Sequence, residues 1–307
     1  MKNHISLFIF AIALLSGPVS ANDLSMTAVK DTLASIPGEH NYIYVRTPLG
    51  EDEEKNYDEI TFYDGLGREL DFAQSYGADR AGAIMAHHHL IEYDSLGRKE
   101  KQWLSTNTSF SYMSPEDLKG GVLWDYHDAG KRSYLQTNYE SSPLNRITEQ
   151  YGVGDAWGDH PARMEYLTNI PADSLRCSFY FIDDNDSLIR RGDYRSGELQ
   201  VTKATDEDGK PTYTFVDKQG RTLLTRLGRG NQQADTYFVF DRFGRIRYVL
   251  PPMINDEISA GNLDLYAYQY LYDSFGRCIS KKLPGCAAIG YVYDLSLIHI
   301  SEPTRLL

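Results

Sequence analysis

The chain has 307 residues, 41% of them hydrophobic, with 31 basic and 43 acidic side chains and a net charge of −12. That length supports one or two domains with a sizeable core, and the apolar content excludes a disordered chain. The acidic balance, with no basic stripe, argues against nucleic-acid binding.

Residues 1–21 read as a secretory signal peptide. Lys2 gives a positive start, Ile5–Leu15 is an apolar run too short to span a bilayer, and Val19-Ser20-Ala21 supplies small residues at the cut. The mature chain is expected to begin at Asn22, where no Cys follows to carry a lipid. Residues 22–40 form a linker holding a short amphipathic stretch, Met26–Ile36, ended by Pro37-Gly38. Tyr42–Thr47 alternates as a strand, and Glu51–Lys55 reads as a solvated charged loop. Glu59–Tyr63 and Arg68–Gln74 make a first hairpin. A Gly/Ala-rich loop from Ser75 to Ala86 is predicted next, then His87-His88-His89 and strand Leu90–Tyr93. On a strand only His87 and His89 share a face, and no Cys or carboxylate has matching spacing, so no metal is assigned there. Lys99–Leu104 completes a second hairpin.

Ser114 as N-cap and Pro115 as first helical residue predict a short helix. Tyr134–Tyr139 and Arg146–Tyr151 are strands, Gly152–His160 is a Gly/Trp loop, and Met164–Asn169 and Cys177–Asp183 are strands. Asp183-Asp184-Asn185-Asp186 and Asp206-Glu207-Asp208-Gly209 look like pieces of calcium loops. Neither ends in the bidentate Glu such a loop needs, so both read as turns between strands. Beyond Glu198, strands Thr212–Val216, Thr222–Leu227, Thr236–Phe240, Ile246–Leu250, Leu265–Tyr272 and Cys278–Leu283 alternate with turns. Glu257–Leu263 interrupts them as a short helix. Three cysteines are too few for a disulfide framework. Cys278 and Cys286 flank the turn Leu283-Pro284-Gly285, and both a disulfide across a hairpin and two small buried residues remain open.

One phrase recurs through this order: aromatic–Asp–x–x–Gly–Arg. It reads Y-D-G-L-G-R at Tyr63–Arg68, Y-D-S-L-G-R at Tyr93–Arg98, F-D-R-F-G-R at Phe240–Arg245 and Y-D-S-F-G-R at Tyr272–Arg277. At Phe215–Arg221 the same phrase carries Val216 between the aromatic and the Asp. Ser142-Pro143-Leu144-Asn145-Arg146 is a degenerate copy. The aromatic suits the end of a half-buried strand. The Asp carboxylate can accept backbone N–H groups further round a turn. Gly fits a backbone of positive φ. Arg opens the return strand, within reach of the Asp or of an aromatic face. Each copy is therefore predicted to be one β-hairpin turn, and a set of Asp and Arg repeated this often is no active site.

The phrase resembles the YD repeat of the RHS (rearrangement hot spot) family. N-Y-I-Y-V-R-T at Asn41–Thr47 and I-T-F-Y-D-G-L-G-R-E-L at Ile60–Leu70 are similar to the opening domain of RHS proteins of Gram-negative bacteria. So are A-W-G-D-H at Ala156–His160, E-Y-L-T-N at Glu165–Asn169 and T-D-E-D-G-K-P-T-Y-T-F at Thr205–Phe215. The resemblance implies an RHS-associated N-terminal domain over 41–175 and YD repeats over 176–294. It implies an all-β fold of antiparallel hairpin repeats forming an open, spiral, shell-like sheet. It further implies a secreted or cell-surface protein whose shell encapsulates a C-terminal cargo, often a toxin, released by autoproteolysis. The partners would be the C-terminal core and cargo of the same protein. That core and its protease residues are not found in residues 22–294. No catalytic, cofactor or metal residue is assigned, and an enzyme is not expected. The alternative is a carbohydrate-binding or adhesion module, since YD repeats have been linked to glycans. Trp103, Trp124 and Trp157 would be its anchors, with core packing the competing role of those rings.

Tyr291-Val292-Tyr293-Asp294 opens a further copy, yet Leu297 and Ile298 stand where Gly and Arg are required. L-S-L-I-H-I-S-E-P-T-R at Leu295–Arg305 resembles a translated sequencing-library adapter. Residues 295–307 are therefore expected to be a read artefact rather than part of the fold.

Overall fold

The computed structural model describes residues 33, 36, 38, 40–48, 56–78, 83–127, 130–228, 233–254, 257–293 and 299–301. The predicted signal peptide, most of Met26–Ile36 and the Glu51–Lys55 loop lie outside them. Contacts divide the chain into two compact units, residues 1–161 and 162–307. The sequence-based boundary at 175/176 falls inside the second unit, because strand Ala162–Thr168 pairs with strand Gln200–Thr205. Both units are mostly antiparallel β-structure, built from hairpins and open rather than closed into a barrel.

In the first unit, β1 (Asn41–Pro48), β2 (Asn56–Tyr63), β3 (Glu69–Ala78), β4 (Ile84–Tyr93) and β5 (Lys99–Trp103) pair in succession. β6 (Thr106–Ser109) joins the first half of β4. β7 (Tyr134–Tyr139) pairs with β5 and then with β8 (Ile147–Tyr151). Alternate residues of β2 are buried, so one face carries Ile60 and Phe62 into a core with Ala73, Ala86 and Phe110. The loop predicted over Ser75–Ala86 is shorter than expected. Ser75, Ile84 and Ala86 are buried on the core face, so the alternation of β3 and β4 runs on past a bulge between Ser75 and Gly77. The helix begins where the sequence puts it. In α1 (Pro115–Asp125) the Ser114 hydroxyl accepts Asp117 N–H at 3.2 Å, and Leu118 and Val122 face inward.

The core face of this unit also holds charge. Asp58 is fully buried and accepts Tyr44 Oη at 2.6 Å and Arg46 Nε and Nη2 at 2.7 and 2.9 Å. Burial, then that carboxylate, pushes the Tyr44 phenol well above its ordinary range. His88 is buried too. Its Nδ1 lies 2.6 Å from Asp71 Oδ2 and its Nε2 donates to Ser109 O at 2.9 Å, which ties β3, β4 and β6 together.

In the second unit, β9 (Ala162–Thr168) pairs with the strand Gln200–Thr205, after which successive strands pair in order. They are β12 (Gln200–Thr205), β13 (Pro211–Val216), β14 (Thr222–Leu227), β15 (Ala234–Phe240), β16 (Ile246–Leu250), β17 (Tyr268–Tyr272), β18 (Cys278–Lys282) and β19 (Ile289–Tyr293). β10 (Ser178–Ile182) and β11 (Leu188–Asp193) form a separate hairpin. Its Tyr180 packs with Phe215, Leu224, Tyr237 and Val239 of the main sheet in one core. The strand predicted from Leu265 starts later. α2 (Ala260–Tyr266), capped by the Ser259 side chain, takes its first residues, and Ala267 N–H still bonds Leu263 O. Residues 299–301 add a three-residue strand, β20, to β19. An open edge accepts such a segment through backbone groups alone.

Candidate functional site: the aspartate turn and its arginine

At Asp94 the two ends of the hairpin meet through Asp94 N–H to Arg98 O (2.9 Å) and Gly97 N–H to Asp94 O (3.0 Å). Oδ1 accepts the N–H groups of Leu96 and Arg98, both at 2.9 Å, and Oδ2 accepts Arg98 Nε at 2.7 Å. One carboxylate thus caps the turn with one oxygen and holds the return strand with the other. The same contacts recur at Asp64, Asp217, Asp241 and Asp273. Gly97 sits at φ +80°, and the register slips by one between Glu92 and Tyr93. This is a turn closed by a glycine bulge. A Cβ on Gly97 would also lie 3.0 Å from Arg68 Nη1. Burial opposes ionisation of Asp94, but the bonds from Arg98 outweigh it and hold the carboxyl below its usual range. At Asp64 the backbone bond from Arg68 is the leading cause of the same shift.

Asp183 and Asp206 make the same turn. Asp183 Oδ1 accepts Asn185 and Ser187 N–H at 3.0 and 2.8 Å, and Asp186 takes the positive φ of 64°. Asp206 Oδ1 accepts Asp208 and Lys210 N–H at 3.1 and 2.7 Å, with Gly209 at φ 77°. The apparent calcium fragments are therefore copies in which Ser187 or Lys210 replaces the Arg. In the degenerate copy the two tasks of the Asp are split. Ser142 Oγ caps Leu144 N–H at 3.2 Å and Asn145 sits at φ 54°, while Glu140 takes Arg146 at 2.8 and 2.7 Å. Bonds from Arg146 and then Ser142 hold the Glu140 carboxyl down at about 2.

Each arginine also reaches the next copy. Arg68 lies 4.6 Å from the ring centroid of Tyr93, and Arg98 4.7 Å from Tyr139. Arg221 lies 5.1 Å from Phe240, Arg245 4.8 Å from Tyr272 and Arg277 4.9 Å from Tyr293. Continued toward the turn, the strand registers bring each Arg opposite that ring. The tyrosine hydroxyl then donates to the carbonyl of the residue after the Arg. Tyr93 reaches Glu69 O (2.7 Å), Tyr139 Lys99 O (3.1 Å), Tyr272 Ile246 O (2.9 Å) and Tyr293 Cys278 O (2.7 Å). Arg98 Nη1 additionally donates to Glu140 O at 2.9 Å. The sequence offered the Asp or an aromatic face as partners of the Arg. It uses both, and the face belongs to the following hairpin. Each interlock is worth ~0.5–1 kcal/mol at a partly exposed site.

The other singled-out residues are not brought into one site. Trp103 is half-buried, its Nε1 donating to Glu92 at 3.1 Å and its ring 4.7 Å from Tyr134. Trp124 on α1 is 82% exposed and Trp157 is 46% exposed. His87 stacks on Tyr76 at 4.4 Å and hydrogen-bonds Asn107, while His89 tilts toward Phe72. Among the described residues no group of three or more His, Cys, Asp or Glu is placed to hold a metal ion. Cys278 and Cys286 are free. The register Ser280↔Gly290 sets Cys278 toward Val292, not Cys286. The buried His88–Asp71 pair was missed. The signal available was the middle position of the His run, which alternation alone sends to the core face.

Residues 41–168 match a family model described as a domain of unknown function, DUF6443. Among solved structures the chain is similar to a crystal structure of TcdB2-TccC3-Cdc42, at 14% identity over 85% of this chain and 12% of that one, with a TM-score of 0.53. It is similar to a crystal structure of TcdB2-TccC3 at 12% identity over 94% of this chain and 14% of that one, with a TM-score of 0.52. A Photorhabdus luminescens Tc holotoxin pore gives 12% identity, 85% and 12% coverage and a TM-score of 0.53. At these identities the likeness is one of fold. The chain spans 12–14% of the length of those solved chains. No curated protein sequence matches.

Proposed function

We propose that this chain is a non-enzymatic wall segment of a larger, exported RHS-type protein, whose hairpins build a spiral β-shell around a C-terminal cargo. The observation that carries this reading is the interlock. Each Asp turn that carries the Arg closes its own hairpin and offers that Arg to the ring of the next, so hairpins add in series. The fold likeness to chains of TccC3-containing structures, one of them a holotoxin pore, supports it. Its partners are the core and cargo of the same protein, and its location is outside the cell or on the outer surface. The test is to sequence the locus past the codon for Tyr293. Further Asp-x-x-Gly-Arg copies followed by a core and a variable tail are expected. A stop codon within a hairpin or two would overturn the shell reading.

A glycan-binding module is the second reading, favoured by the 82% exposure of Trp124. Glycan-array binding that is lost in Trp124→Ala and Trp157→Ala, with the fold kept, would carry it.

A further inference from the structure

Arg132 lies between two tyrosines, its guanidinium carbon 5.4 Å from the ring centroid of Tyr134 and 5.1 Å from that of Tyr151. Its Nε and Nη2 are buried, and neither has a hydrogen-bond partner among the described residues. The Gly/Trp loop closes over this edge: a Cβ on Gly158 would stand 3.6 Å from Arg132 Cδ and 3.8 Å from Nε. The nearby Asp155 carboxylate is committed elsewhere, to the backbone N–H groups of Lys131 and Arg132 at 3.2 and 3.0 Å.

Two guanidinium donors taken out of water and left unmet are unfavourable unless something fills them. Nε and Nη2 form the edge that grips a carboxylate side-on with two parallel bonds. Elsewhere in the chain that same edge is filled in this way, by Asp58 on Arg46 and by Asp235 on Arg226. The aromatic faces of Tyr134 and Tyr151 hold the cation but leave its in-plane edge to an acceptor.

We propose that Arg132, with Tyr134 and Tyr151, is a carboxylate-binding site, entered when the Gly152–His160 loop shifts and reported by Trp157 on that loop. The carboxylate is that of a small organic acid or of an acidic side chain on a polypeptide. The test uses the full chain, thermal unfolding and tryptophan fluorescence, with sodium acetate, acetamide and the capped peptide acetyl-Gly-Asp-Gly-amide at chloride-matched ionic strength. Acetate should raise Tm in a saturable way, and acetamide should not. The response should vanish in Arg132→Met and weaken by about tenfold in Arg132→Lys, which keeps the charge but not the fork. Peptide binding about tenfold tighter than acetate identifies an acidic side chain as the natural occupant; equal or weaker peptide binding identifies a small acid. Equal responses to acetate and to matched chloride, or an unchanged response in Arg132→Met, overturn the site. Should Arg132→Met fail to fold, the wild-type comparison of acetate with acetamide and chloride decides alone.

Discussion

At the scale of single residues, the fold rests on carboxylates that do two things at once. Asp94 caps its turn and holds Arg98, so Asp94→Ala should lose about 2–3 kcal/mol, between an N-cap and a charged hydrogen bond in size. Asp94→Asn keeps a capping oxygen and should lose about half of that, both read by urea denaturation. Asp71 pairs with the His88 ring and accepts the His89 backbone N–H inside the core, so Asp71→Ala should cost about 3–5 kcal/mol by leaving a buried ring partner unpaired. A gain is predicted as well. Tyr63 is the aromatic of the first copy, and the residue across from it is Asn41, whereas Tyr93, Tyr139, Phe240, Tyr272 and Tyr293 each meet an Arg. Asn41→Arg should supply the missing interlock and stabilise the first unit by ~0.5–1 kcal/mol in the same urea experiment. No gain would mean that the stacking contributes nothing beyond the strand pairing already present.

At the scale of elements, the turn was legible in the sequence and the interlock was not. The Asp, the Gly three residues on and the Arg four residues on are local, and backbone chemistry alone turns them into a hairpin. That logic also read the helix start at Ser114 correctly, because a cap and a first-turn proline act on neighbouring residues. The segments at Asp183 and Asp206 read correctly as turns but not as copies of the phrase, because Ser187 and Lys210 stand in the Arg position and leave the local capping pattern as their one trace. The contact of Arg98 with Tyr139 depends on strand register across an intervening helix and loop, which no local pattern encodes. The same holds for Arg132, whose partners Tyr134 and Tyr151 are brought together by the β7–β8 register. The predicted loop over Ser75–Ala86 failed for the opposite reason. Small residues there read as breakers, yet burial against the β2 face keeps them extended.

For the whole molecule, the repeated carboxylates set the response to acid. Asp64, Asp94, Asp217, Asp241 and Asp273 all have carboxyls lowered in the folded chain. A lowered folded value means the stabilisation is complete above the ordinary aspartate value and is lost as pH falls through the folded values. Glu140 adds a contribution that is lost between 4.5 and about 2. Urea midpoints should therefore stay level toward pH 5 and fall steeply below about pH 4. A midpoint that is flat down to pH 2 would mean the turns do not carry the stability assigned to them.

One repeated interlock joining successive hairpins in both units is the central claim. Its most direct test is a pair of double-mutant cycles, Arg98→Ala with Tyr139→Ala in the first unit and Arg245→Ala with Tyr272→Ala in the second, followed by urea unfolding. The account predicts a favourable coupling of about 0.5–1 kcal/mol in each cycle, similar in the two units. A coupling of zero in either cycle would contradict it: the rings and guanidinium groups would then be neighbours by register alone.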